Sequence, residues 1–308
     1  METRTDPPLI SVLVPTRNRA VLVQDTIQSV LAQQWGDFEL VISNNHSSDN
    51  TREVLDEIAA SDKRVRVVSP PETLPMTAHW NWAWSQLRGT YGTLLSDDDI
   101  WEPTFLQTVV EAAQAHAEFD VVATNYYYWD DTRPSEVHLR KLTFDIGTGP
   151  VANPLEAMLK HNLIFLNCAI MRRDAFVEIG GYGASHVGDY ELWIKAAIAE
   201  KRFYYIHEPH LKYRIHGAQI TDSTRVTQLT AEMLEDYVSQ PGIPWKMRER
   251  LRRSASGTWA LIGKSELTAK QSKEENEARS YFLRGLKVCP WHPANWIGIA
   301  RTLFPSRA

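Results

Sequence analysis

Three consecutive carboxylates, Asp97-Asp98-Asp99, end an apolar run and precede Ile100-Trp101. Adjacent carboxylates repel one another, so ionising all three without a cation is unfavourable. A divalent cation removes that conflict. Hard oxygen donors suit Mg²⁺ or Mn²⁺, ions that combine one or two carboxylates with phosphate oxygens and water. A solvated turn in which one Asp caps the next helix has the same composition, and spacing alone does not choose between the two. A second group, Pro15-Thr16-Arg17-Asn18-Arg19, closes the first apolar run. A turn there presents backbone N–H groups, a hydroxyl, an amide and two guanidiniums, and Arg17 or Arg19 can stack on a base or pair with phosphate. Ordinary loop chemistry accounts for the same residues. In Gly188-Asp189-Tyr190-Glu191-Leu192-Trp193 a carboxylate stands where a helix begins. By position Asp189 is a cap; beside a sugar it can take a proton from a hydroxyl. His216, within Tyr213-Arg214-Ile215-His216-Gly217, is a metal or phosphate ligand or a structural histidine. Trp80, Trp82 and Trp84 surround Asn81; Trp80 and Trp84 share a helix face, which favours core packing over sugar stacking.

The elements that must position these groups alternate. Ile10 to Val14 is a short continuous apolar run, the pattern of a strand covered on both faces. Val23, Ile27, Val30 and Leu31 then form one helical stripe. Phe38 to Ile42, Val65 to Val68 and Thr90 to Leu95 read as further strands. Asn50 with Glu53 suggests the cap of a helix carrying Val54, Leu55 and Ile58. Thr77 to Leu87 reads as a helix, and Pro103 suits the first turn of another, with Phe105 and Val109 on its apolar face. Repeated β-α-β units imply a mainly parallel sheet between helices, with ligands at the carboxyl ends of its strands. Pro15–Arg19 and the acidic triad both fall at that edge. Beyond Val121 to Tyr128 the pattern loosens: residues 129–150 read as a loop over a site, Ile164 to Met171 as a strand, and Asp189 to Glu200 as a helix. From Ser223 the chain reads as helical, which divides it at 1–222 and 223–308.

Composition narrows the function classes. The 308-residue chain has a formal charge of −5, no footprint for nucleic acid. Its two cysteines, Cys168 and Cys289, are far apart, which excludes a disulfide scaffold and a cysteine zinc site. No apolar stretch is long enough to span a membrane and no secretory leader is recognisable, so a cytoplasmic protein is expected. Trp245-Lys-Met-Arg-Glu-Arg-Leu-Arg-Arg253 interleaves basic and apolar residues, which suits either a solvated helix or peripheral contact with an anionic membrane. No glycine-rich phosphate loop follows the first strand, as a nucleotidyltransferase would require, and no GxGxxG follows any strand, as a dinucleotide-dependent oxidoreductase would.

Taken in order, the motifs resemble the family 2 glycosyltransferases with the GT-A fold. Ser11-Val-Leu-Val-Pro-Thr-Arg-Asn-Arg19 is similar to the family's opening strand and turn. Phe38-Glu-Leu-Val-Ile-Ser-Asn-Asn45 and Ser47-Ser-Asp-Asn-Thr51 are similar to its second strand and loop. Leu94-Leu-Ser-Asp-Asp-Asp-Ile-Trp-Glu-Pro103 resembles its DXD segment, and Gly180-Gly-Tyr182, Gly188–Trp193 and Tyr213–His216 follow in order. The resemblance implies an inverting enzyme that moves a sugar from a nucleotide-sugar donor, UDP-linked by preference, to an acceptor hydroxyl, with Mn²⁺ or Mg²⁺. The acceptor would be a saccharide, a lipid-linked species or a small molecule. Pro15, Thr16, Arg17 and Asn18 would line the nucleotide pocket, Asp97 would sit by the ribose, and Asp98 would bind the metal. Asp99 would assist it, His216 would stand near metal and phosphates, and Asp189 would be the catalytic base. Asn44, Asn81 and Asn167 complete the expected nucleotide-sugar set. Three positions depart from the pattern: Asn44 replaces an Asp that accepts the uracil N3–H, Arg17 replaces a base-stacking aromatic, and Gly188 replaces an acidic residue before the base. A domain that binds without turnover is the alternative that Asn44 and Gly188 raise.

Overall fold

Ile10, Val12 and Val14 lie on one face of the first strand and Leu13 on the other, and all four are fully buried. That double burial is what the continuous apolar run demands, and each such aliphatic side chain contributes about 1.5–3 kcal/mol. The computed structural model describes residues 7–130, 132–133, 136–142, 146–185, 187–215, 223–268 and 274–303. Ten strands form one sheet: β1 (Ile10–Thr16), β2 (Phe38–Asn44), β3 (Val65–Val68), β4 (Tyr91–Leu94), β5 (Ile100–Trp101), β6 (Val121–Asp130), β7 (Val137–Leu139), β8 (Gly149–Pro150), β9 (Ala169–Arg172) and β10 (Phe203–Ile215). The order is β3-β2-β1-β4-β9-β6-β10-β5, with β7 on β6 and β8 on β10. β1, β2, β3 and β4 are parallel neighbours, as are β6 and β10. β9 runs antiparallel between β4 and β6, so β6 points the same way as β4.

The helices are α1 (Leu22–Leu31), α2 (Thr51–Ser61), α3 (Met76–Trp84), α4 (Phe105–Ala115), α5 (Pro154–His161), α6 (Arg173–Glu178), α7 (Gly188–Ile198), α8 (Ser223–Ser239), α9 (Trp245–Thr268), α10 (Glu274–Val288) and α11 (Pro293–Leu303). Val23, Ile27 and Val30 of α1 and Phe105, Val109 and Ala113 of α4 pack in the same core as Ile10, Val12, Leu40 and Ile42.

Several local expectations shift. Asn50 makes no capping bond; Asp49 accepts the Thr51 N–H instead, at 3.0 Å. α4 begins at Phe105, after Pro103, because Ile100–Trp101 pairs with β10 and delays the helix. Ile164 to Met171 is not one strand: a 3₁₀ turn occupies Leu166–Cys168 before β9. The irregular stretch at 129–150 contributes the short strands β7 and β8.

The described residues fall into two compact units, one holding the sheet and one holding α8 to α11. In the helical unit Trp259 is fully buried beside Ala231 and Ile262. Arg284 lies 4.0 Å over its ring and pairs with Glu235 at 3.0 Å. Among the described residues no helix is long and apolar enough to cross a membrane.

Candidate active site

The parallel register brings the carboxyl ends of β1, β2 and β4 to one edge of the sheet, so the loops after them are neighbours. Two contacts lace the first loop to the acidic one. Thr16 Oγ1 donates to Asp97 Oδ2 at 2.6 Å, and Arg19 Nη1 pairs with Asp98 Oδ2 at 3.2 Å. Burial pushes the Asp97 carboxyl up to about 6, opposed by the Thr16 bond and by Arg19.

The three carboxylates divide their roles. Asp97 and Asp98 remain partly exposed, while Asp99 is buried. The Arg214 N–H donates to Asp99 Oδ1 at 2.9 Å, and Asn167 Nδ2 donates to its other oxygen. Burial, with the neighbouring Asp98 charge, pushes the Asp99 carboxyl up to about 8. Asp99 faces the interior and ties the acidic loop to β10, so its side chain acts on the loop that carries Asp97 and Asp98. Asn167 is held in the same way. It is fully buried, and its Oδ1 accepts both the Ser96 N–H (3.2 Å) and the Ser96 hydroxyl (3.1 Å). It therefore holds the loop.

Two other asparagines are also committed. Asn44 Oδ1 accepts from the Ser47 N–H (2.9 Å) and hydroxyl (2.7 Å), which uses both lone pairs of the oxygen expected to read a base. Asn18 adopts φ 54°, a left-handed conformation that Asn tolerates, and its Oδ1 accepts the Ser48 N–H at 2.7 Å. Pro15 and Thr16 are buried at the end of β1, whereas Arg17 is exposed beside them.

Asp189 opens α7. Burial raises its pKa, opposed by its own and the Tyr190 backbone N–H groups. The turn before it is rigidly held. Asn81 Nδ2 donates to the Tyr182 carbonyl at 2.9 Å, and the Tyr182 N–H returns a bond to Asn81 Oδ1 at 2.8 Å. Lys195 Nζ donates to the Gly181 carbonyl at 2.6 Å. Asn81 thus clamps the Gly180-Gly181-Tyr182 turn. Gly181 has φ 62°, and a Cβ there would stand 2.5 Å from Asn81 Oδ1, so the clamp requires glycine. Gly188 has a similar cause: a Cβ would lie 2.6 Å from Thr77 Cγ2. A side chain at position 188 therefore requires the Thr77 methyl of α3 to move. Trp84 is buried and stacked on Phe176, and Trp80 meets Tyr182 edge-on, as core packing requires.

His216 lies outside the described residues. Arg214 is the functional neighbour that the motifs did not single out, because its contribution to Asp99 is a backbone N–H. Its guanidinium pairs with Asp25 at 2.9 Å and lies 4.9 Å over Trp129.

The donor set suits a hexacoordinate divalent ion only in company. Among the described residues no cluster of three or more His, Cys, Asp or Glu side chains is placed to hold one. Asp98, with Asp97 next to it, matches the one or two carboxylates from which Mg²⁺ or Mn²⁺ is bound when phosphate oxygens and water complete its shell.

An α/β sheet of this order, with an acidic loop after β4 beside the loop after β1, is of the GT-A fold. Among solved structures, S. aureus TarS residues 1–349 in complex with UDP-GlcNAc superposes with a TM-score of 0.68 at 12% identity, covering 95% of this chain and 88% of that one. The mannosyltransferase PcManGT of Pyrobaculum calidifontis, in complex with GDP-Man and Mn²⁺, gives 0.58 at 17% identity, covering 98% and 89%. An uncharacterized glycosyltransferase of Haemophilus influenzae is 25% identical over 251 residues, 78% of this chain and 77% of its own. Residues 11–180 match glycosyl transferase family 2. The chain belongs to that family and is a glycosyltransferase.

Proposed function

We propose that this glycosyltransferase inverts configuration in a single displacement, taking a sugar from a nucleoside-diphosphate donor, UDP-linked by preference, to an acceptor hydroxyl. The acceptor is a saccharide, a lipid-linked species or a small molecule, in the synthesis of a surface polysaccharide or glycoconjugate. Residues 1–222 form the catalytic domain and 223–308 an accessory region. The protein works in the cytoplasm, peripherally at the inner membrane face.

The observation that carries this reading is the lacing of Thr16 to Asp97 and Arg19 to Asp98, which concentrates a hydroxyl, a guanidinium and two carboxylates at one sheet edge. That set can hold a ribose hydroxyl and a diphosphate together. Asp97 accepts a ribose O–H, Arg17 stacks on the base or meets phosphate, and Asp98 holds Mn²⁺ or Mg²⁺. The ion, when bound, supplies neutralisation of charge on the departing diphosphate. Asp189 takes the proton of the attacking hydroxyl, and its raised pKa strengthens it as a base near neutral pH. The nucleotide sugars in the TarS and PcManGT complexes support a donor of this class, and the Mn²⁺ in the latter supports the ion.

The test is a thermal-shift series with UDP, GDP, dTDP and CDP, each with and without Mn²⁺. A shift with one nucleotide that needs Mn²⁺ and vanishes in Asp98→Ala is expected. A shift indifferent to Mn²⁺ and to Asp98→Ala contradicts the metal assignment; a larger shift with GDP or CDP contradicts the UDP preference.

A further inference from the structure

α11 exposes much of its apolar surface. Asn295, Gly298 and Thr302 are its buried residues, while Trp296 is 57% exposed, Ile297 55% and Leu303 53%. Two inward polar side chains are tied down: Asn295 Nδ2 donates to the Ser256 carbonyl at 3.0 Å, and Thr302 Oγ1 accepts from Arg279 Nε at 3.1 Å. Gly298 allows the approach to α10, since a Cβ there would lie 2.2 Å from the Phe282 ring. A helix on a water-facing surface carries its apolar stripe inward. Here Asn295 and Thr302 are held inside by hydrogen bonds with Ile299 half-buried beside them, while Trp296, Ile297 and Leu303 are left outside.

Two more indoles continue that surface. Trp245 in the first turn of α9 is 74% exposed, and Trp291 between α10 and α11 is 59% exposed. Trp291 Nε1 donates to Glu249 Oε1 at 3.4 Å, one turn beyond Trp245, while Trp296 Nε1 donates to the Pro290 carbonyl at 2.7 Å. The three rings therefore gather where the start of α9 meets the α10–α11 turn. The surrounding sequence is rich in basic residues. Residues 245–253 contain five Lys and Arg and the single acid Glu249, and residues 287–301 add Lys287 and Arg301 with no acid, in a chain whose net charge is −5.

We propose that this face of the helical unit docks on the surface of an anionic phospholipid bilayer. The indoles and Ile297 enter the headgroup boundary, and the basic residues meet lipid phosphates. Tryptophan suits that boundary because its ring is apolar and its N–H is polar. Basic residues near an anionic leaflet each add to the attraction. A polyanion such as RNA would satisfy the charge and leave the apolar stripe of α11 in water. A second copy meeting this face symmetrically would set cationic residues against their own image. The surface gives the peripheral location a physical basis, and it stands whether or not the donor reading holds.

The experiment is co-sedimentation of the full chain with phosphatidylcholine vesicles, with and without roughly a third phosphatidylglycerol. Tryptophan emission is followed in parallel. The expected result is binding to the anionic vesicles only, with a blue shift and weakening at high salt. Trp291→Ser/Trp296→Ser should bind about tenfold or more weakly, and Lys246→Glu/Lys287→Glu should lose the preference for anionic lipid. Both variants should keep the wild-type melting temperature and the same release of nucleotide from donor in solution. Failure of the wild type to sediment with anionic vesicles overturns the proposal, as does undiminished binding by the tryptophan variant. Concentration-dependent self-association that the tryptophan variant abolishes, without vesicle binding, assigns the face to a second copy instead.

Discussion

Asn167→Ala separates the residues that hold the acidic loop from those that meet the donor. The side chain is buried and makes three bonds, accepting two from Ser96 and donating one to Asp99. The alanine variant leaves the Ser96 N–H without its partner and removes a donor from a carboxyl that burial already penalises. The Ser96 hydroxyl can rotate to another acceptor, so two losses matter. An unsatisfied buried group costs about 1–3 kcal/mol. The sum is about 2–4 kcal/mol, a large part of a domain stability of roughly 5–15 kcal/mol. Urea unfolding followed by fluorescence measures it, alongside calorimetric titration of the preferred nucleoside diphosphate with Mn²⁺. Asn167→Ala should lose stability and also bind nucleotide weakly, because Asp97 and Asp98 follow the loop. Asp98→Ala, on a partly exposed side chain, should lose Mn²⁺-dependent binding while keeping most of its stability. A loss below about 1 kcal/mol in Asn167→Ala, with unchanged affinity, refutes the anchoring role.

Asp189→Asn should bind donor as the wild type does and turn over about 10² to 10⁴ times more slowly, read from product release under saturating donor; equal turnover removes Asp189 as base. His79 supplies a pH dependence independent of the site. Its ring nitrogen lies 2.7 Å from Ser43 Oγ, and burial lowers its pKa from 6.5 to about 4. Below about pH 6.5 the unfolded chain takes up a proton that the folded chain refuses, so stability falls as pH drops through the window from 6.5 to 4 and is level above it. The full difference is about 3 kcal/mol by linkage. Urea unfolding of wild type and His79→Gln at several pH values isolates it; parallel curves for the two proteins contradict the assignment.

Much of the sheet was legible because continuous apolar runs have few places to go. β1 and β2 are buried on both faces, as Ile10–Val14 and Phe38–Ile42 require. β5 and β8 were not legible, since two-residue strands exist only through their pairing with β10. The 3₁₀ turn at Leu166–Cys168 interrupts a run whose composition suits a strand. At the site, the acidic triad was visible as composition, but its division was not. Asp99 turns inward because the Arg214 N–H reaches it from 115 positions away, through a strand whose register shifts twice after Ile206. Asn81 and Asn167 were visible as polar residues near motifs. What they do is set by partners distant in the chain: Tyr182 for one, Ser96 and Asp99 for the other. Gly188 looked like a departure from a catalytic pattern, and in the structure the Thr77 side chain packs closely against it.

The measurement that bears most directly on the central claim is release of nucleoside diphosphate from a panel of nucleotide sugars with Mn²⁺, before any acceptor is known. The account predicts slow release from one donor, abolished by chelation and by Asp98→Ala and strongly reduced in Asp189→Asn. Tight nucleotide binding with no release from any donor, with or without acceptor extracts, would contradict it.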